Sequence, residues 1–167
     1  MKRKIYDVLL EWKKDGAGKT ALLIDGARRV GKSYIVEEFA KAEYKTYLMI
    51  DFNRVNDEVK DLFNNYLNDL DSLFMYLSVY YNVKLYPHES LIIFDEVQMY
   101  PRARAAIKYL VADGRYDYIE TGSLMSIKKN VQDILIPSEE QPHQNVTRWI
   151  FEDVSLSIGK WIPFIGD

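Results

Sequence analysis

The sequence predicts an α/β fold in which helices cover both faces of a doubly wound, mainly parallel β-sheet, so that the chain forms three layers. Short apolar runs alternate along the chain with longer segments of helical periodicity. The run at 91–94, Leu-Ile-Ile-Phe, is apolar throughout, as expected of a central strand buried on both faces. A motif with two glycines, at 26–33, lies between an apolar run and a helical segment, which is the context of a strand–loop–helix unit.

Local patterns predict the individual elements. Ile5, Leu9 and Trp12 share one face of the first segment, which predicts a short amphipathic helix. In chain order we predict a helix at 2–14, a strand at 20–25, a helix from 32 to about 42, a strand at 44–51, two helices within 54–81 that break near 64–71, a strand at 91–94, a helix from Pro101 and a strand at 116–121.

Composition narrows the class of protein. A chain of 167 residues has room for one domain with a buried core, and its formal net charge of −3 gives no general attraction to nucleic acid or anionic membranes. It contains no cysteine, which excludes disulfides, thiol catalysis and zinc–thiolate sites. No apolar run has the pattern of a signal peptide or a membrane span, so we expect a cytoplasmic protein with no membrane partner.

The motif at 26–33 matches the phosphate-binding loop pattern G-x-x-x-x-G-K-[ST] in full. In such a loop, backbone N–H groups surround a polyphosphate, and the next helix adds the positive end of its dipole. Lys32 is predicted to reach the β- and γ-phosphates, and the Ser33 hydroxyl to ligate Mg²⁺. The predicted nucleotide-binding residues are Gly26, Ala27, Arg28, Arg29, Val30, Gly31, Lys32 and Ser33.

An acidic pair, Asp95 and Glu96, directly follows the apolar third strand. Ligands bind at the carboxyl ends of strands in open α/β sheets, so Asp95 is predicted to hold Mg²⁺ and Glu96 to orient an attacking water. The alternative is an acidic pair that only begins a helix. Gln98 has three open roles: it can position water, relay the nucleotide state or make a structural contact.

Two hydroxyls, Thr121 and Ser123, follow the fourth strand beside the same edge. Either can bind the γ-phosphate or the attacking water as a sensor residue, although Thr-Gly-Ser is also an ordinary turn. The chain lacks the Asp-x-x-Gly and Asn-Lys-x-Asp motifs of guanine-specific proteins, which favours ATP. For the arginines Arg28, Arg29, Arg102, Arg104 and Arg115, solvated charges are favoured over phosphate contacts or an arginine finger. His88 and His143 are assigned no chemistry.

The motifs Gly26–Ser33, Ile92–Gln98 with Pro101, and Thr121–Leu124 together resemble the prokaryotic AAA-type ATPases of the AAA+-like superfamily. The likeness runs from about residue 2 to about residue 140. It implies that Lys32 and Ser33 bind phosphate and Mg²⁺, that Asp95 and Glu96 act on metal and water, and that Thr121 to Ser123 hold the sensor. It also implies an additional C-terminal domain, a homo-oligomer, and a protein or DNA partner reached through that domain.

The likeness ends near residue 140, so we divide the chain into an ATPase domain at 1–140 and a divergent segment at 141–167. In a shifted reading frame, the codons of Val146 to Ile150 can encode Tyr-Pro-Met-Asp, which begins a stretch found in the family. We therefore expect a frameshifted tail, impaired turnover, and an unpaired sheet edge unless the tail's aromatic residues pack on it. Sequencing the locus tests this, because a longer frame should resume downstream.

Two alternatives to an ATPase stay open at this stage. A small-molecule kinase would use Asp51, at the end of the second strand, to receive a substrate hydroxyl, but the Glu96 next to Asp95 argues against it. A non-catalytic module would keep the phosphate loop only to bind nucleotide, or to bind nothing.

Overall fold

The computed structural model describes residues 2–26, 31–123, 146–153 and 158–162. The helices in these ranges are α1 (Lys2–Asp15), α2 (Lys32–Glu43), α3 (Asp57–Asn65), α4 (Leu70–Tyr81) and α5 (Pro101–Asp113), with a short 3₁₀ turn at Val97–Met99. The strands are β1 (Ala21–Asp25), β2 (Thr46–Asp51), β3 (Ser90–Asp95), β4 (Asp117–Gly122), β5 (Val146–Asp153) and β6 (Ile158–Ile162). None of the described helices is long and apolar enough to cross a membrane.

The sheet has the strand order β2-β3-β4-β1-β5-β6. All neighbours from β2 to β5 are parallel, and among the described strands only β6 pairs in the antiparallel sense. The predicted doubly wound, mainly parallel sheet is therefore confirmed, and β3 lies between two parallel neighbours as its apolar sequence predicts. Predicted boundaries differ by a few residues. For example, β2 begins at Thr46 because Tyr44 ends α2 by donating its N–H to the Ala40 carbonyl at 3.1 Å.

Of the two outcomes expected for the sheet edge beside β1, an unpaired edge or a tail that packs on it, the structure shows the second. Strand β5 lies parallel to β1, with Ala21 opposite Val146 and Asp25 opposite Ile150. Strand β6 then pairs with β5 in the antiparallel sense. The backbone donors and acceptors of a strand edge are satisfied when another strand is added. The divergent segment therefore contributes two strands to this sheet.

Two buried clusters form the core, one on each face of the sheet. Successive side chains of a strand point to opposite faces, so Leu91 and Ile93 pack with α1 and α2, whereas Ile92 and Phe94 pack with α3, α4 and α5. Buried residues of the first cluster include Leu9, Trp12, Val36, Phe39 and Ile119; those of the second include Phe63, Leu73, Leu77, Ile107 and Tyr118. Helices on both faces confirm the three predicted layers.

Gly114 ends α5 in a left-handed conformation, with φ 78° and ψ 2°. A Cβ added at this position would lie 4.0 Å from the carbonyl oxygens of Val111 and Ala112, so any cost of a side chain comes from the backbone conformation. We expect Gly114→Ala to lower the free energy of unfolding by about 1–2 kcal/mol, as measured by urea denaturation. Gly114→Asn is the matched control, because asparagine tolerates this conformation better. An equal loss in both variants would contradict the backbone explanation.

Candidate functional site

The strand order places the carboxyl ends of β1, β4 and β3 side by side. Strand β4 lies between the other two, with Thr121 opposite Ile24 of β1 and Glu120 opposite Phe94 of β3. The phosphate loop leaves β1, and the acidic pair ends β3, so the residues that end β4 lie between them. Three sequence motifs that are far apart in the chain therefore share one edge of the sheet.

Gly31, the second glycine of the phosphate loop, immediately precedes α2. Its backbone is left-handed, with φ 84° and ψ 17°, and the Ile35 N–H donates to its carbonyl at 3.1 Å. A Cβ here would meet nothing within 4 Å, so the conformation rather than crowding favours glycine. The predicted contacts of Ala27, Arg28, Arg29 and Val30 lie outside the described residues.

Lys32 lies in the interior, with 4% of its surface exposed, although it carries a positive charge. Its Nζ donates a hydrogen bond to the Gly26 carbonyl at 3.1 Å, across the mouth of the loop. Burial lowers the pKa of Lys32, while the negative charges of Glu96, Asp25 and Asp95 act in the opposite direction. The Lys32 ammonium group thus interacts with the carboxylates of Glu96, Asp25 and Asp95. The loop motif predicts the phosphates of a nucleotide at this position.

Asp95 accepts hydrogen bonds from two hydroxyls on one oxygen. The Ser33 Oγ donates to Oδ1 at 2.5 Å, and the Thr121 Oγ1 donates to the same Oδ1 at 2.6 Å. Asp95 is 6% exposed, so this contact brings α2, β3 and β4 together in a partly buried position. Each hydroxyl that donates its proton keeps lone pairs that can bind a cation.

These oxygen atoms fit Mg²⁺, which prefers oxygen ligands and usually binds to one or two carboxylates, waters and substrate phosphates. Ser33 and Asp95 are the residues that would hold the ion. Among the residues that the structure describes, no group of three or more His, Cys, Asp or Glu side chains could hold a metal by itself.

Glu96 follows Asp95 in a left-handed conformation, with φ 53° and ψ 48°. Its N–H donates to the Thr121 Oγ1 at 3.1 Å, and its Oε2 accepts from the Gln98 Nε2 at 2.5 Å. Thr121 is therefore in contact with both members of the acidic pair. Ser123 is buried two residues further along the chain.

The prediction of solvated arginines is wrong for two of them. Arg104 on α5 is 15% exposed in its side chain, with its Nη1 3.6 Å from the Glu120 Oε2. Arg115 hydrogen-bonds Asp113 and Asp71, and its guanidinium lies over the Phe74 ring. Both side chains pack against the protein because each lies beside carboxylates, and Arg115 also lies beside an aromatic ring. Arg102 is exposed, as predicted, and Arg28 and Arg29 lie outside the described residues.

Two buried acids were not selected from the sequence. Asp25 ends β1, is fully buried and acts on the pKa of Lys32. Glu120 lies within β4 and is fully buried, and burial raises its pKa while Arg104 opposes that rise. A signal was present for both, because each acid ends or interrupts a short apolar run, Leu-Leu-Ile-Asp and Tyr-Ile-Glu-Thr.

The remaining candidates are Asp51, His88 and His143, of which Asp51 lies opposite Asp95 in the pairing of β2 with β3. Asp51 ends β2, where its carboxylate accepts the Asn53 N–H at 2.9 Å and lies 3.8 Å from Arg54. His88 is exposed, and its N–H donates to the Arg115 carbonyl at 2.7 Å. His143 lies outside the described residues.

Comparison with known proteins adds one finding. A family model described as an AAA domain matches residues 18–140, which include the phosphate loop, the acidic pair and the hydroxyls at the end of β4. No curated protein matches the sequence.

Proposed function

Because this chain belongs to the AAA domain family, a family of nucleotide-binding, ATPase-type domains, we propose that it binds ATP with Mg²⁺ and hydrolyses it. The site is the shared edge of β1, β4 and β3. The observation that carries the proposal is the contact of Ser33 and Thr121 with one oxygen of Asp95, 2.5 and 2.6 Å away. It joins the phosphate-loop helix to the acidic strand at the place where a metal-bound phosphate would lie.

ATP would be the substrate, and Mg²⁺ bound with it would neutralise part of the phosphate charge. Water adds to the γ-phosphorus and gives up a proton while the bond from that phosphorus to the bridging oxygen breaks, which releases ADP and phosphate. In our proposal Lys32 and the loop amides stabilise negative charge on the transferred group. Ser33 and Asp95 hold the metal, and Glu96 orients the water. Thr121, with Ser123 beyond it, senses the γ-phosphate and keeps the acidic pair in place.

Transfer of the phosphoryl group to a small molecule has less support. Such a kinase needs a base for the acceptor hydroxyl, and Asp51 would be that residue. Its carboxylate instead caps its own turn by accepting from Asn53, and it lies near Arg54. Asp51 lies opposite Asp95 in the sheet, but Glu96 directly follows Asp95 and its carboxylate is held by Gln98, which favours water as the acceptor.

The proposal also includes the assembly and the surroundings of the domain. We propose that the chain acts in the cytoplasm as a homo-oligomer, with a protein or DNA partner. Support for oligomers comes from the family, whose domains often assemble in this way. The formal net charge of −3 gives no independent support for DNA.

Release of phosphate from ATP, with no acceptor present, is the measurement that tests hydrolysis. We expect Mg²⁺-dependent release by the unmodified chain, and we expect Lys32→Ala to weaken binding of an ATP analogue about 10–100-fold, because a charge-assisted contact is lost. The matched control is Lys41→Ala, which removes an exposed lysine from the same helix, where Lys41 lies 3.8 Å from Glu38. We expect this control to bind the analogue normally.

Three outcomes would count against parts of the proposal. Phosphate release that requires an added acceptor would indicate a kinase. Normal binding without release would indicate a non-catalytic module. Equal analogue affinities in the unmodified chain and in Lys32→Ala would contradict the assigned phosphate site itself.

A further inference from the structure

Glu96 is held in a backbone conformation that residues with a side chain rarely adopt. Its φ of 53° and ψ of 48° lie in the left-handed region, at a cost of about 1–3 kcal/mol for a residue other than glycine. Such residues persist where surrounding contacts hold them, and they cluster at functional sites. The contacts around Glu96 therefore indicate what this conformation maintains.

Three hydrogen bonds hold Glu96 from different directions. Its N–H donates to the Thr121 Oγ1 at 3.1 Å, and its carbonyl accepts the Met99 N–H at 3.0 Å. Its side chain accepts from the Gln98 Nε2, which lies 2.5 Å from Oε2. The first two bonds fix the backbone, and the third fixes the carboxylate.

Gln98 is well placed to hold a side chain because it is itself immobilised. It is 2% exposed and lies within the 3₁₀ turn Val97–Met99, next to the fully buried Val97. The tight turn folds Gln98 back toward the residue two positions earlier. Its rotamer freedom has been lost on folding, so holding Glu96 requires little further ordering. An amide is also neutral, so it directs the carboxylate without cancelling its charge as a lysine or arginine would.

We propose that Gln98 is a positioning residue that holds Oε2 of Glu96, so that Oε1 is directed toward the attacking water. This inference rests on the proposed hydrolysis. The left-handed backbone of Glu96 and the turn at Val97–Met99 aim the carboxylate, and Gln98 prevents it from rotating away. Thr121 holds Glu96 from the other side, because its Oγ1 accepts a hydrogen bond from the Glu96 N–H.

Gln98→Met tests this role in the full chain because methionine has a similar length and lacks the donor. We expect kcat to fall about 10–100-fold, while KM for ATP stays within about twofold, since the misplaced group acts mainly in the transition state. Met75→Gln is the control, at an exposed position on α4, a helix that carries none of the proposed site residues. It should leave both constants unchanged, and thermal melting of each variant shows whether the fold is intact.

A spectroscopic measurement tests the contact without nucleotide. In ¹⁵N-labelled protein, a side-chain NH₂ proton of Gln98 should resonate downfield, and Glu96→Ala should remove that displacement. If Gln98→Met releases phosphate with a kcat equal to or higher than that of the unmodified chain, the positioning role is overturned and the proposed hydrolysis stands. The positioning role is also overturned if the Gln98 NH₂ resonance does not change in Glu96→Ala. A chain that releases no phosphate would overturn both the proposed function and the role built on it.

Discussion

Arg104→Met is expected to lower the free energy of unfolding by about 3–5 kcal/mol near neutral pH, the usual cost of removing one partner of a buried ion pair. Glu120 is fully buried within β4, and the Arg104 Nη1 lies 3.6 Å from its carboxylate. Methionine fills a similar volume, so the loss comes mainly from leaving the buried Glu120 carboxyl without its cationic partner. Urea denaturation followed by circular dichroism measures the change.

The loss of stability in Arg104→Met should depend on pH, in a direction that follows from the pKa of Glu120. Burial raises the pKa of Glu120, and Arg104 partly offsets that rise. A carboxyl whose pKa is higher in the folded state than in the unfolded state binds more protons when folded, so stability falls as pH rises above the unfolded value of about 4.5. Without Arg104 the pKa rises further. The destabilisation by Arg104→Met should therefore shrink as the pH is lowered toward that value.

The double variant Arg104→Met with Glu120→Leu is the internal control. Replacing a whole buried ion pair by apolar residues is often neutral or stabilising, so the double variant should recover most of the loss. If it is as unstable as Arg104→Met, the arginine stabilises the protein through its packing and not through the charge of Glu120.

Glu96→Gln is expected to lower kcat for ATP hydrolysis about 10²–10⁴-fold, the usual contribution of a positioned carboxylate to proton transfer. Glutamine keeps the size of the side chain but loses the negative charge that polarises water. Affinity for an ATP analogue should stay within a few-fold, because Lys32 and the phosphate loop are unchanged. Single-turnover phosphate release together with equilibrium binding separates the two effects.

Glu89→Gln is the matched control for this substitution. Glu89 is exposed just before the amino end of β3, opposite the end at which the site lies, and its carboxylate lies 3.8 Å from Lys45, so solvent already screens its charge. We expect a normal kcat for Glu89→Gln. A Glu96→Gln variant that retains full activity would show that another group orients the water.

Much of the architecture could be predicted from local patterns. The apolar run at 91–94 predicted a central strand, and β3 has a parallel neighbour on each side. The break predicted near 64–71 separates α3 from α4, where Asp69 caps the second helix by accepting the Ser72 N–H. Periodicity and capping are properties of a few neighbouring residues, so they can be read without the rest of the fold.

Other features could not be predicted because they depend on distant partners. An arginine on an amphipathic helix is most often solvated, and only the packing of α5 against β4 places Arg104 beside Glu120. The addition of β5 to β1 joins segments more than 100 residues apart, so local patterns could not decide between an unpaired edge and a tail that packs on it. The left-handed Glu96 also depends on a remote contact, since Thr121 holds its N–H.

The sequence by itself determined the chemistry available to this protein: a phosphate-loop motif, an acidic pair after an apolar strand, and hydroxyls after the next strand. These are properties of residue type and spacing. The tertiary structure decided which of those groups meet, because the order β3-β4-β1 places Thr121 on the strand between the phosphate-loop strand and the strand that ends in Asp95, which Thr121 contacts. Parallel strands align their carboxyl ends at one edge, and only their order in the sheet determines which side chains lie within hydrogen-bonding distance.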